Sequence, residues 1–156
     1  MSKTCSAFGH RETYARIKEP LTAILEQLIT EQDVSCFYTG GMGEFDGIFS
    51  SAVRILKRTH PQVRLFLVLP YYTANINKER AFFESEYDGL VLPSDLDGLH
   101  YKSAIKARNR WMIEQSDYII TCVYKSRGGA YDAMRYAAAK NKLYLNINPH
   151  GGNAVF

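Results

Sequence analysis

The chain reads as an α/β domain, a mostly parallel sheet with helices on both faces, and three observations carry that reading. Short runs rich in β-branched and aromatic residues alternate with amphipathic stretches of helical period. Several of the short runs are apolar almost throughout, as strands buried on both faces of a parallel sheet must be. Two of them lead into glycine turns, Thr39-Gly40-Gly41-Met42-Gly43 and Ser126-Arg127-Gly128-Gly129, each of which opens a helical pattern. This order is that of a Rossmann-like, doubly wound domain.

The strand-like runs fall at residues 4–8, 35–39, 63–69, 89–92, 118–123 and 143–147. Between the first two, Leu21, Ile24, Leu25, Leu28 and Ile29 follow the i, i+3, i+4, i+7, i+8 spacing of a helix face, with Pro20 suited to its first turn. Phe45, Ile48, Phe49, Ala52, Val53 and Leu56 repeat that pattern after the first glycine turn. The segment 71–88 is the least regular, with a short helix placed at 77–84. Residues 100–115 read as a third long helix. Residues 130–140 read as a fourth, where small Ala133, Ala137 and Ala138 allow close packing on the sheet. The domain is expected to span 1–148. The tail 149–156, with Pro149 and Gly151-Gly152, is expected to leave the core.

A length of 156 residues, 46% of them hydrophobic, suffices for one domain with a sizeable core. The net charge of +3, without a Lys/Arg block, makes nucleic acid an unlikely partner on charge grounds. Cys5, Cys36 and Cys122 are odd in number and far apart, which argues against a disulfide framework or zinc site and for free thiols in a cytoplasmic protein. His10, His60, His100 and His150 are scattered without metal-ligand spacing, so neither metal nor cofactor is expected. No apolar run approaches the ~20 residues needed to cross a membrane.

In open parallel sheets, ligands bind beyond the carboxyl ends of the strands, near the point where strand order reverses. The residues just after each strand therefore carry the candidate site. Gly9-His10-Arg11 follows the first strand, and its Arg offers a charged fork suited to phosphate. Thr39, Gly40, Gly41, Met42 and Gly43 form the next turn, with Asp46 in the helix it opens. Asp46 stands where a dinucleotide fingerprint has its third glycine, and the Lys-Ser/Thr ending of a P-loop is absent. An ordinary NAD or ATP site is disfavoured. Asp46 either accepts ribose hydroxyls or favours the helix dipole.

Arg108 has apolar Ile105 and Met112 at i−3 and i+4, which places its guanidinium toward the buried face. There it requires a carboxylate or a bound phosphate as partner. In the second turn, Ser126 is a helix N-cap candidate and Asp132 lies near the helix start. The alternative for that turn is that Ser126, Gly128 and Gly129 hold a phosphate while Asp132 faces a sugar.

These motifs occur in an order that resembles the small bacterial and phage branch of the SMF/DprA–LOG (SLOG) superfamily: Gly9-His10-Arg11, Thr39-Gly40-Gly41-Met42-Gly43-x-x-Asp46, Lys106-Ala107-Arg108-Asn109-Arg110-Trp111-Met112, and Arg127-Gly128-Gly129-Ala130-Tyr131-Asp132. The resemblance spans 4–148. It implies a Rossmann-like domain that binds a nucleotide or nucleotide-derived small molecule at its glycine turns, in a homodimer. An alternative implied by the LOG enzymes is an N-glycosidase cleaving nucleoside 5′-monophosphates, in which Arg108 and Asp132 hold the catalytic positions. The second turn lacks the Pro-Gly-Gly-x-Gly-Thr pattern of those enzymes, and Asp132 matches their Glu only under one alignment of the glycines.

Overall fold

A computed structural model describes residues 2–13, 15–96 and 98–147. The tail expected over 149–156 lies outside the described residues. Six strands, β1 (Lys3–Gly9), β2 (Val34–Thr39), β3 (Arg64–Val68), β4 (Gly89–Val91), β5 (Tyr118–Cys122) and β6 (Leu143–Asn146), form one sheet in the order β4-β3-β2-β1-β5-β6. Every pairing is parallel. The Rossmann-like α/β fold expected from the sequence is the one observed.

The helices cover both faces. On one side, α1 (Lys18–Glu31) and α2 (Gly43–Thr59) pack over Cys5, Ala7, Phe37, Leu65 and Ile120. Their buried stripe, Leu21 to Ile29 and Phe45 to Leu56, is the one the helical period marks out. On the other, α5 (Tyr101–Gln115) and α6 (Gly129–Ala139) cover Phe8, Ile119 and Val123 with Met112, Ile113, Ala130, Ala133 and Ala137. Alternate residues of β1 and β5 face opposite clusters, as the two-residue strand period requires. The irregular segment before β4 holds two short helices, α3 (Asn75–Lys78) and α4 (Arg80–Glu86), where the sequence suggested one.

From β1 the chain winds through β2, β3 and β4 in one direction, then returns to the far side of β1 for β5 and β6. The strand order therefore reverses between β1 and β5, and a crevice is expected beyond their carboxyl ends. Side chains pin both strands, β5 at its amino and carboxyl ends alike. Ser6 Oγ donates to Met112 O (3.2 Å) and pairs with Ser116 Oγ (2.6 Å), tying β1 to the end of α5. Asn146 Oδ1 accepts from Val123 N (2.8 Å) and Thr121 Oγ1 (2.9 Å), and its Nδ2 donates to Val123 O (3.0 Å). Among the described residues, no helix is long and apolar enough to cross a membrane.

Candidate functional site

A cavity of about 350 Å³ opens at this crevice. Gly9, His10 and Arg11 from the end of β1, Gly40, Met42 and Asp46 from the first glycine turn and α2, Arg108 and Asn109 from α5, and Gly128 and Gly129 from the second turn all line it. Residues far apart in sequence are gathered here because every contributing loop follows a parallel strand on the same edge of the sheet.

The first turn is built around protein contacts. Gly41 N donates to the buried Thr39 Oγ1 (3.2 Å), Met42 N to Asp46 Oδ2 (2.8 Å), and Glu44 N to Arg11 O (2.8 Å). A Cβ on Gly40 would lie 2.9 Å from the Arg108 guanidinium carbon, and one on Gly41 2.6 Å from Leu67 Cδ1. Gly43 has φ +88°, and a Cβ there would lie 2.7 Å from Arg11 Cα. Gly9 serves packing too, since a Cβ would sit 2.2 Å from Phe45 Cγ. These glycines make room for the protein itself. Thr39, Gly41 and Gly43 stand behind the cavity rather than in its wall.

Arg108 is 3% exposed. Protein oxygens meet the guanidinium: Nη1 donates to Val68 O (2.9 Å) and Gly40 O (3.3 Å), and Nε to Asn109 Oδ1 (2.8 Å). Carbonyls at the end of β3 and in the first turn thus hold the guanidinium, and among the described residues Nη2 meets the Met42 sulfur at 3.8 Å. Asp46 sits within electrostatic reach. Burial pushes its carboxyl up to about 7, against the opposing pull of the Met42 N–H and the Arg108 charge. Asp46 itself lines the cavity.

His10 is 8% exposed. Its Nε2 accepts from Lys125 N (3.2 Å), so the neutral ring carries its proton on Nδ1, on the side of Gly128. Burial lowers the His10 pKa, and the Lys125 charge adds to that, which favours the neutral ring. Tyr124 holds the ring edge-on at 4.7 Å. Arg11 is exposed beside it.

The second turn is constructed differently. Helix α6 begins at Gly129 with Gly128 at its N-cap (φ 97°), and no side chain caps it. Ser126, the N-cap expected from sequence, lies two residues earlier, exposed and outside the cavity wall. A Cβ on Gly128 would meet only His10 Nδ1, at 3.9 Å, and one on Gly129 nothing within 4 Å. The amides of Gly129 and Ala130 have no acceptor among the described residues. Asp132 is exposed and lines a neighbouring cavity, which shares Ile105, Asn109, Gly128 and Gly129 with the first, whereas Arg108 lines the first.

Of the candidate residues, the fold brings together Gly9, His10, Arg11, Gly40, Met42, Asp46, Arg108, Gly128 and Gly129. Sequence reasoning did not single out Asn109, which orients Arg108, or Tyr124, which props His10. Their only sequence signal is adjacency: Asn109 follows Arg108, and Tyr124 opens the loop after β5.

The class of protein is thus a doubly wound α/β domain with a cleft at its strand-order reversal, one wall of which is an open helix amino end. No family model matches the chain. It is 26% identical over 148 residues to an uncharacterised SPbeta prophage-derived protein, YoqJ, of Bacillus subtilis (strain 168), covering 85% of each chain. Its fold resembles DNA processing protein A (DprA) of Helicobacter pylori, with a TM-score of 0.66 and 18% identity over 92% of this chain, and DprA of Streptococcus pneumoniae, with a TM-score of 0.67 and 14% identity over 97%. The chain spans 64% and 51% of those two DprA chains. The protein TM1055 gives a TM-score of 0.60 at 14% identity, over 91% of this chain and 72% of its own. These likenesses show the α/β fold, the same fold that the resemblance of the sequence motifs implies.

One expectation is overturned here. Charge argued against nucleic acid as a partner, yet the Helicobacter pylori DprA, whose fold this chain shares, binds single-stranded DNA. The physical reason is that a net charge of +3 sums over the whole molecule, whereas a binding face depends on where the charges gather. Lys102, Lys106, Arg110 and Arg135 gather along one groove.

Proposed function

We propose that this protein binds a nucleotide or nucleotide-derived ligand, phosphate first, in the cleft between the ends of β1 and β5. The observation that carries the reading is the open amino end of α6, which has no capping side chain and shares the cavity with His10, Arg11 and Arg108. Unpartnered amides at a helix start meet an anion with both hydrogen bonds and the positive end of the dipole. The exposed Arg11 adds a full charge, and His10 Nδ1–H adds a neutral donor at the same end. Asp46, on the opposite wall, accepts a ribose hydroxyl through the oxygen that Met42 N does not use. Arg108 acts chiefly as a wall and a brace, leaving one Nη2 edge for the ligand.

The geometry favours binding over glycosidic cleavage. LOG-type cleavage would set Asp132 against the sugar beside Arg108, whereas Asp132 lies in the adjoining groove. The carboxylate in the cleft, Asp46, has its pKa raised to about 7 by burial and holds Met42 N. Isothermal titration against nucleoside 5′-monophosphates, ADP-ribose and cyclic dinucleotides tests the reading, with circular dichroism as the check on folding. At least one of them is expected to bind, with Arg11→Ala weakening it about tenfold, the size of one charge-assisted contact. A folded protein that binds none of them overturns the proposal.

A further inference from the structure

Beside the cleft, α5 and α6 part to leave a second and larger cavity of about 640 Å³. The two adjoin: Ile105, Asn109, Gly128 and Gly129 line both. Four cations line the second cavity, Lys102, Lys106 and Arg110 from α5 and Arg135 from α6, against one acid, Asp132. Among the described residues, none of the four forms an ion pair with a carboxylate. Arg110 lies over the Tyr136 ring at 4.8 Å, and Arg135 over Tyr131 at 5.8 Å while donating to the Tyr131 hydroxyl. Lys102 lies over the Tyr101 ring at 6.0 Å, so three of the four cations are propped on aromatic rings rather than ion-paired. Four cations against one lining acid leave the groove with an excess of positive charge, which a bound anion offsets.

The first cavity lies near the lower end of the usual ligand range of about 300–1,000 Å³, and the two joined approach its upper end. An anion seated on the α6 amides is at the junction, because Gly128 and Gly129 belong to both walls. We propose that the ligand continues across Gly128-Gly129 into the α5–α6 groove, so that it is a nucleotide bearing a second, phosphodiester-linked nucleotide rather than a mononucleotide. This rests on the nucleotide reading of the cleft and adds the groove as the seat of the second phosphate. The same chemistry is offered by a free dinucleotide and by the 5′ end of a single strand.

Three probes test it by isothermal titration on the full chain: 5′-AMP, the linear dinucleotide pApA, and a 5′-phosphorylated octaadenylate. The dinucleotide is expected to bind at least about tenfold tighter than AMP, as one further charge-assisted contact gives. The salt dependence of its logarithmic affinity is expected to be steeper by about 0.7. The double variant K106E/R135E reverses one exposed charge on each helix. It is expected to bring pApA down to the AMP level while leaving AMP binding unchanged, and K106Q/R135Q is expected to fall between. An octaadenylate equal to pApA assigns the free dinucleotide, and a tighter one assigns the strand end. If AMP binds and pApA is no tighter, or its gain survives charge reversal, the groove proposal is overturned and the cleft reading stands. If neither binds, both fall together.

Discussion

At the first glycine turn, the space left by absent side chains is occupied by the protein: the Arg108 guanidinium lies against Gly40, Leu67 against Gly41, and the Arg11 backbone against Gly43. At the second, the same kind of space is open, with only His10 Nδ1 near Gly128 and nothing near Gly129. The amides follow suit. Those of Gly41, Met42 and Glu44 are committed to Thr39, Asp46 and Arg11, whereas α6 starts without a cap. Both turns follow a parallel strand and open a helix, so topology alone does not distinguish them. One turn braces the fold, and the other faces the cleft.

The largest expected effect concerns the brace. Asp46 has its carboxyl raised by burial to about 7 in the folded chain, from an ordinary 3.8. Between those values the folded state holds a proton that the unfolded state has released, so its contribution is fully present below 3.8 and is lost as pH rises toward 7. Asp46→Asn keeps an acceptor for Met42 N and removes that slope. Urea unfolding of both proteins across this window should show the wild type losing, relative to the variant, on the order of a few kcal/mol. A constant difference between the two would remove Asp46 as the titrating group.

Next is Arg108→Ala, which leaves the Val68 and Gly40 carbonyls without their donor and opens a void beside Met42. It should lower stability by about 3 kcal/mol, read from the shift of the urea midpoint. Arg108→Lys should recover part of that. Little or no loss would mean that the guanidinium serves the ligand rather than the fold.

Gly43→Ala forces an L side chain into φ +88° against the Arg11 backbone. A destabilisation of about 2 kcal/mol is expected, seen as a lower thermal midpoint. The matching change in the second turn should behave in the opposite way. Gly129→Ala places a methyl in open space at the first position of α6, where Ala is the better helix former by up to about 1 kcal/mol. Its stability should hold or rise slightly, while affinity for a nucleoside monophosphate falls about tenfold, or about 1.4 kcal/mol. Equal affinity in this variant would place the phosphate elsewhere in the cleft.

Much of this was legible in the sequence for a local reason. Strands and helices announce themselves by periods of about 2 and 3.6 residues, and the six strands fall within one or two residues of the runs that predict them. The burial of Arg108 was legible too, from Ile105 and Met112 on its face of α5. The two short helices before β4 were harder. Glu79 breaks the helical path between them (φ −111°, ψ 33°), and neither helix buries a residue, so no apolar stripe marks them. The placement of Asp132 apart from Arg108 was not legible, because it depends on how α5 and α6 lie against each other.

By itself, the sequence determined the class of fold, the order of its elements and the set of loops that meet at one edge of the sheet. Hydrophobic period and chain order suffice for that, since parallel strands joined by helices have few ways to wind. Only the tertiary structure decided which glycine turn is closed and which is open. That depends on side chains far away along the chain, such as Arg108 against Gly40, arriving to fill a space or leaving it empty. No pattern within a turn records what lies opposite it.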